Sequence, residues 1–124
     1  MITKEYNSVP YTSVQINFAT AVISANHKQD YRVIGNTEHS ITFLCRTGYQ
    51  WSTTAEILWH TNDDSTLSYR ITCSLTPGTL VTRQLLDEYA DRHIVKLAQL
   101  IDDYVQQSQI IQLGNTSKKR WGFR

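Results

Sequence analysis

The sequence predicts an α+β fold: a two-layer sandwich in which an antiparallel meander sheet carries both helices on one face, in the order β-α-β-β-β-β-α. Three observations carry this. Residues 67–75, Leu-Ser-Tyr-Arg-Ile-Thr-Cys-Ser-Leu, alternate apolar and polar side chains, the period of a strand buried on one face. A Thr76-Pro77-Gly78-Thr79 turn follows, and beyond it the apolar spacing changes to that of a long amphipathic helix. Three upstream stretches share the strand period and are joined by short polar turns, which makes neighbours antiparallel hairpins.

Each element has its own signal. Ile2 to Val9 reads as a short first strand stopped by Pro10. Thr12 is placed to cap a helix, with Gln15 three residues on completing a capping box. Val14, Phe18, Ala21, Val22 and Ala25 form a stripe at helical spacing, so the first helix is predicted over 13–26 with this stripe buried. Strands follow at 30–37, 40–47, 51–61 and 67–75. They are separated by Glu38-His39, by Gly48, and by Asn62-Asp63-Asp64-Ser65.

Parity then sorts the sheet's two faces. Tyr31, Val33, Ile41, Phe43, Cys45, Ile57, Trp59, Leu67, Tyr69, Ile71, Cys73 and Leu75 share the side expected to be core. Thr42, Leu44, Arg46, Glu56, Leu58, His60, Ser68, Arg70 and Thr72 share the solvated side. The second helix is expected from Arg83 to Gln107, burying Leu86, Ala90, Ile94, Leu97, Leu100, Ile101, Tyr104 and Val105. Glu88 and Arg92 make a well-oriented pair on it. One domain therefore spans 1–107, and 108–124 is a polar C-terminal extension with a basic, aromatic tip.

A chain of 124 residues is long enough to bury a core without metal or disulfide staples. The net charge of +1 argues against a general polyanion binder. Its distribution is uneven: residues 1–117 hold 8 basic and 11 acidic side chains, and 118–124 hold 4 basic and none acidic. The apolar run from Val14 to Ala25 is broken by Gln15, Asn17, Thr20 and Ser24, too short and too polar to span a membrane or to serve as a signal h-region. A cytoplasmic location is expected. Cys45 and Cys73 match no zinc or redox spacing. A meander places them on strands that flank a third, roughly 9–10 Å apart, so two reduced core thiols are expected rather than a disulfide.

The chemistry-bearing residues do not assemble into a catalytic pattern. His27, His39, His60 and His93 are scattered, with no pair at helical i,i+4 spacing and no HExxH. Asn62-Asp63-Asp64-Ser65 lacks the glycine and the distant glutamate of a calcium loop and reads as a hairpin turn. There is no G-x-S-x-G elbow and no glycine-rich phosphate loop, and both thiols are predicted to face the core. Arg46, Glu56 and Arg70 read as a solvated cross-strand cluster. No catalytic residue, cofactor or metal is expected.

Two features stand above this background. Tyr31, Phe43, Tyr49, Trp51, Trp59 and Tyr69 make the meander rich in aromatics, which suits a core and also the wall of a pocket between the sheet and the second helix. The tail, Lys118-Lys119-Arg120-Trp121-Gly122-Phe123-Arg124, interleaves basic and aromatic side chains in a pattern that contacts anionic lipid or nucleic acid.

Tyr31-Arg-Val-Ile-Gly, Ile41-Thr-Phe-Leu-Cys-Arg-Thr-Gly, Thr54-Ala-Glu-Ile-Leu-Trp and Thr66-Leu-Ser-Tyr-Arg-Ile-Thr-Cys-Ser, closed by the long helix, resemble a group of small bacterial domains. These have a helix, an antiparallel meander and a long C-terminal helix, similar to a shortened helix-grip, START-like layout. The resemblance spans roughly residues 2–107, rests on pattern and order, and implies a binding or accessory module with no catalytic residues.

The expected function is a non-enzymatic module binding a small apolar ligand between the sheet and the second helix, with Tyr31, Trp59, Tyr69, His93 and Tyr104 as the binding residues. The alternative of another class is protein–protein interaction or homodimer assembly, through Leu44, Leu58 and His60 on the open sheet face or through the tail. A third expectation is nucleic-acid or anionic-membrane contact by Lys118, Lys119, Arg120, Trp121 and Arg124.

Overall fold

In the computed structural model, seven elements follow the chain: β1 (Ile2–Val9), α1 (Ser13–Asn26), β2 (Tyr31–Thr37), β3 (Ser40–Thr47), β4 (Gln50–Thr61), β5 (Leu67–Leu75) and α2 (Arg83–Trp121). The backbone is described for residues 1–76 and 83–121, and side chains for 1–76 and 87–109. The strands form one antiparallel sheet in the order β1-β5-β4-β3-β2. This is the α+β layout that the residue pattern predicts.

The order has a consequence for α1. β2 to β5 are a simple meander, but β1 returns to pair with β5, from Ile2↔Cys73 to Val9↔Leu67. β1 and β2 are therefore the two edges, and α1, which joins them, crosses the sheet from one margin to the other. It packs mainly on α2, so both helices cover the same face.

Local chemistry accounts for the joints. The Thr12 hydroxyl accepts from the Gln15 amide at 3.1 Å and the Gln15 side chain accepts from the Thr12 amide at 2.8 Å, a complete capping box. Gly48 takes φ +61° in the β3–β4 turn, a conformation that favours glycine. In the β4–β5 turn the Asp64 carboxylate accepts from the Thr66 amide and hydroxyl, and these bonds hold its pKa below the usual value.

The core sits between the sheet and the helices. Tyr31, Phe43, Cys45, Ile57, Leu67, Ile71 and Cys73 from the sheet meet Ile16, Ala19, Ile23, Ala90, Ile94, Leu97, Ile101 and Val105 from the helices, all buried. Each such side chain contributes roughly 1.5–3 kcal/mol on burial if it is a large aliphatic or aromatic one. Both cysteines are free and buried, with β4 between their strands.

Four expectations are corrected. The buried stripe of α1 is Ile16, Ala19, Thr20 and Ile23, not the stripe beginning at Val14. Val14 is 75% exposed and Phe18 40%. The helix is apolar on two opposite sides, and Thr20 hides the buried one because its hydroxyl donates back to Ile16 and Asn17 carbonyls. Val33 is 39% exposed: paired with buried Phe43 it keeps the predicted face, but β2 is a sheet edge and the residue lines an open groove beside α1. Leu75 is only partly buried, at the end of β5. Finally, α2 does not stop at Gln107: it continues to Trp121, so the expected boundary at 107/108 falls inside a helix. Gln106, Gln107, Gln109 and Gln112 are good helix formers and suit that continuation. The predicted turn residues Pro77, Gly78 and Thr79, and the side chain of Leu86, lie outside the described residues.

Candidate functional site

Polar side chains fasten α2 to the rest of the fold at several points along its length. Near its start, Asp91 pairs with Lys4 of β1 at 2.5 Å, which raises the Lys4 pKa. Two residues on, the His93 ring bridges two strands: Nδ1 lies 3.3 Å from the Tyr31 hydroxyl and Nε2 2.8 Å from the Thr47 hydroxyl. Burial, and then the nearby Lys96 ammonium, hold the His93 pKa below its ordinary 6.5, so the ring is neutral at pH 7. Asp30 joins Lys96 at 3.5 Å and Arg46 at 3.7 Å. Toward the other end, Tyr11 donates to the Asp102 carboxylate, and Tyr104 hydrogen-bonds the His27 ring at 2.7 Å.

On the flank between β1 and α2 this fastening leaves an open cleft of about 370 Å3, lined by Tyr6, Val9, Tyr11, Tyr69, Val95, Ala98, Gln99 and Asp102. Three tyrosines form a row there. Tyr6 stacks on Tyr69 with ring centres 4.8 Å apart, and Tyr11 on Tyr69 at 6.4 Å. Opposite them Val95 is 51% exposed on α2. Burial raises the pKa of all three phenols, and for Tyr11 the Asp102 carboxylate adds to it. The rings are therefore neutral, and the cleft offers aromatic and aliphatic walls with Gln99 and Asp102 at its margin. A surface of this kind takes apolar groups.

The five expected ligand-binding residues do not converge. Tyr31 and His93 meet each other, Tyr104 meets His27, Trp59 is buried near α1, and only Tyr69 lines the cleft. Tyr31 is fully buried within the core, so its contact with His93 is a strut between β2 and α2. Pattern reading missed Tyr6, Tyr11 and Val95. Val95 carried a signal, as an apolar residue on the polar flank of α2. Tyr6 and Tyr11 carried little, because only the pairing of β1 with β5 brings them to Tyr69.

The open sheet face places Leu44 and Leu58 apart. Their registers, Leu44↔Thr54 and Leu58↔Ser40, leave the Thr42–Glu56 pair between them. His60 and Leu58 line a second cleft of about 280 Å3 with Glu5, Asn7, Ser68 and Arg70. At the other end of this face the Arg32 guanidinium sits 4.3 Å over the Trp51 ring. Lys118, Lys119, Arg120 and Trp121 belong to the last turns of α2, but their side chains, and Arg124 altogether, lie outside the described residues.

Burial pushes the Cys73 thiol up to about 12 and raises Cys45 as well, which leaves neither as a nucleophile at neutral pH. No group of three or more metal-binding side chains occurs among the described residues. No described helix is long and apolar enough to cross a membrane. No protein-family model matches the chain, and no curated protein matches it.

Proposed function

We propose that the chain is a non-enzymatic binding module that takes a small apolar ligand between its sheet and its C-terminal helix, at the cleft between β1 and α2. The observation that carries this is the row Tyr6–Tyr69–Tyr11, stacked beside a half-exposed Val95. A flat hydrophobic group laid there would cover the partly exposed Tyr6 and Val95, with the buried Tyr69 and Tyr11 backing the floor of the cleft. Burying about 100 Å2 of apolar surface is worth roughly 2.5 kcal/mol before ordering costs, so weak affinity, with a dissociation constant in the millimolar range or above, follows.

The test uses N-phenyl-1-naphthylamine, a neutral apolar dye that fluoresces when shielded from water. Saturable binding of one dye per chain is expected, lost in Val95→Glu and kept in Phe18→Glu. Dye binding that survives Val95→Glu would remove the cleft from consideration.

A further inference from the structure

The outward side of α1 is a second and independent surface. Val14, Phe18, Ala21 and Ala25 stand opposite the buried stripe Ile16, Ala19, Thr20 and Ile23 on the helical wheel, with Val22 beside them. Val14 and Phe18 are the exposed large hydrophobic side chains of the helix. A helix on the surface of a domain ordinarily turns charge to solvent. α1 carries no charged residue anywhere between Ser13 and Asn26.

We propose that this face is covered by the same face of a second copy of the chain, with the two α1 helices packed antiparallel about a two-fold axis. Two features favour a copy over an unlike partner. The first is a size pattern that complements itself. Large Val14 and Phe18 lie toward one end, small Ala21 and Ala25 toward the other. A dyad midway between Ala19 and Thr20 sets Val14 against Ala25 of the other helix and Phe18 against Ala21, each pair twice. That is the isologous arrangement a two-fold interface requires. The small residues allow the axes to approach within about 8–10 Å at a shallow crossing.

The second feature is electrical. With no charge on the face, two copies meet without repulsion and without stranding an ion. Neither end of α1 has a charged side chain to offset its dipole: no acidic residue stands in the first turn and no basic one in the last. Antiparallel packing places each helix start beside the other's end, which does so. Val33, which lines the groove at the flank of α1 with Asn17, Ala21 and Ser24, extends the apolar margin. α1 has 14 residues, a length of about 21 Å by helical rise. That is a small interface, and a dissociation constant in the micromolar range is expected.

The experiment is sedimentation velocity on the full chain, combined with engineered disulfides. The expected result is a monomer of 14.3 kDa at low micromolar concentration that shifts to twice that mass as concentration rises. Phe18→Glu should hold it monomeric at every concentration while leaving Tm within a few degrees. Under mild oxidation, a mixture of the Val14→Cys and Ala25→Cys variants should form a cross-linked dimer. Neither variant alone should do so, because the two copies of residue 14 would stand about 16 Å apart along the helix. A chain that stays monomeric, a dimer indifferent to Phe18→Glu, or Val14→Cys cross-linking to itself as fast as in the mixture would each overturn the proposal. Binding of the monomer to phosphatidylcholine vesicles through Phe18, without dimers, would do the same and assign the face to lipid.

Discussion

His93 Nε2 lies 2.8 Å from the Thr47 hydroxyl, while its Nδ1 faces Tyr31. One imidazole thus ties α2 to both β2 and β3. Burial holds this ring below its ordinary pKa of 6.5. The unfolded chain therefore takes up a proton first as pH falls. Above about 6.5 the group contributes no pH dependence; below it, stability declines. Denaturant melts from pH 7.5 to 5.5 should show this decline in the native sequence. His93→Gln should flatten it and cost about 1–2 kcal/mol at neutral pH through lost hydrogen bonds. An unchanged pH slope in the variant would contradict this role.

Tyr11 should matter to stability for a related reason. Its hydroxyl donates to a carboxylate on α2, and its ring stacks on Tyr69. Tyr11→Phe keeps the stack and removes the bond, with an expected cost of roughly 1.5–3 kcal/mol for a charge-assisted contact. Equilibrium urea denaturation measures it, and a cost under half a kcal/mol would show that Asp102 finds water as good a partner.

The two sides of α1 should answer differently to truncation. Ile23 is fully buried, so Ile23→Ala should destabilise by roughly 2–5 kcal/mol. Val14→Ala should stay within about 0.5 kcal/mol in the monomer. Thermal melts at low protein concentration separate the two, and equal costs would mean that the helix face has been misassigned.

Cys45 and Cys73 should be silent toward thiol reagents in the native fold. Both are fully buried and held protonated by that burial. A disulfide-exchange reagent at pH 8 should label neither until denaturant is added, then both. Native labelling faster than global unfolding would show that the β3–β5 region opens locally.

Much of this architecture was legible because hairpins leave a local trace. β3 and β5 begin and end where alternation and turn chemistry place them, and the Thr12–Gln15 box marks the start of α1. What escaped was whatever depends on partners distant in the chain. Periodicity pointed to one stripe on α1, the one with Phe18, and that stripe is the outer one. The inner stripe contains Thr20, whose polarity is cancelled by a bond visible only in the folded helix. The tyrosine row escaped likewise, since no local pattern reveals which strand Ile2–Val9 will pair with.

That pairing also orders events in time. The meander strands meet across turns of a few residues, whereas Tyr6 must find Tyr69 across most of the domain. Closing so long a loop is entropically slower than closing hairpins. β2 to β5 should therefore form first, with one edge vacant, and β1 should dock last, drawing α1 across as it arrives. Pulse-labelled hydrogen exchange during refolding should find Ile71 and Ile57 amides protected before Lys4 and Tyr6; simultaneous protection would rule the sequence out. Until β1 docks, β5 is a bare template, and the first strand of any neighbouring chain can fill it as well as its own.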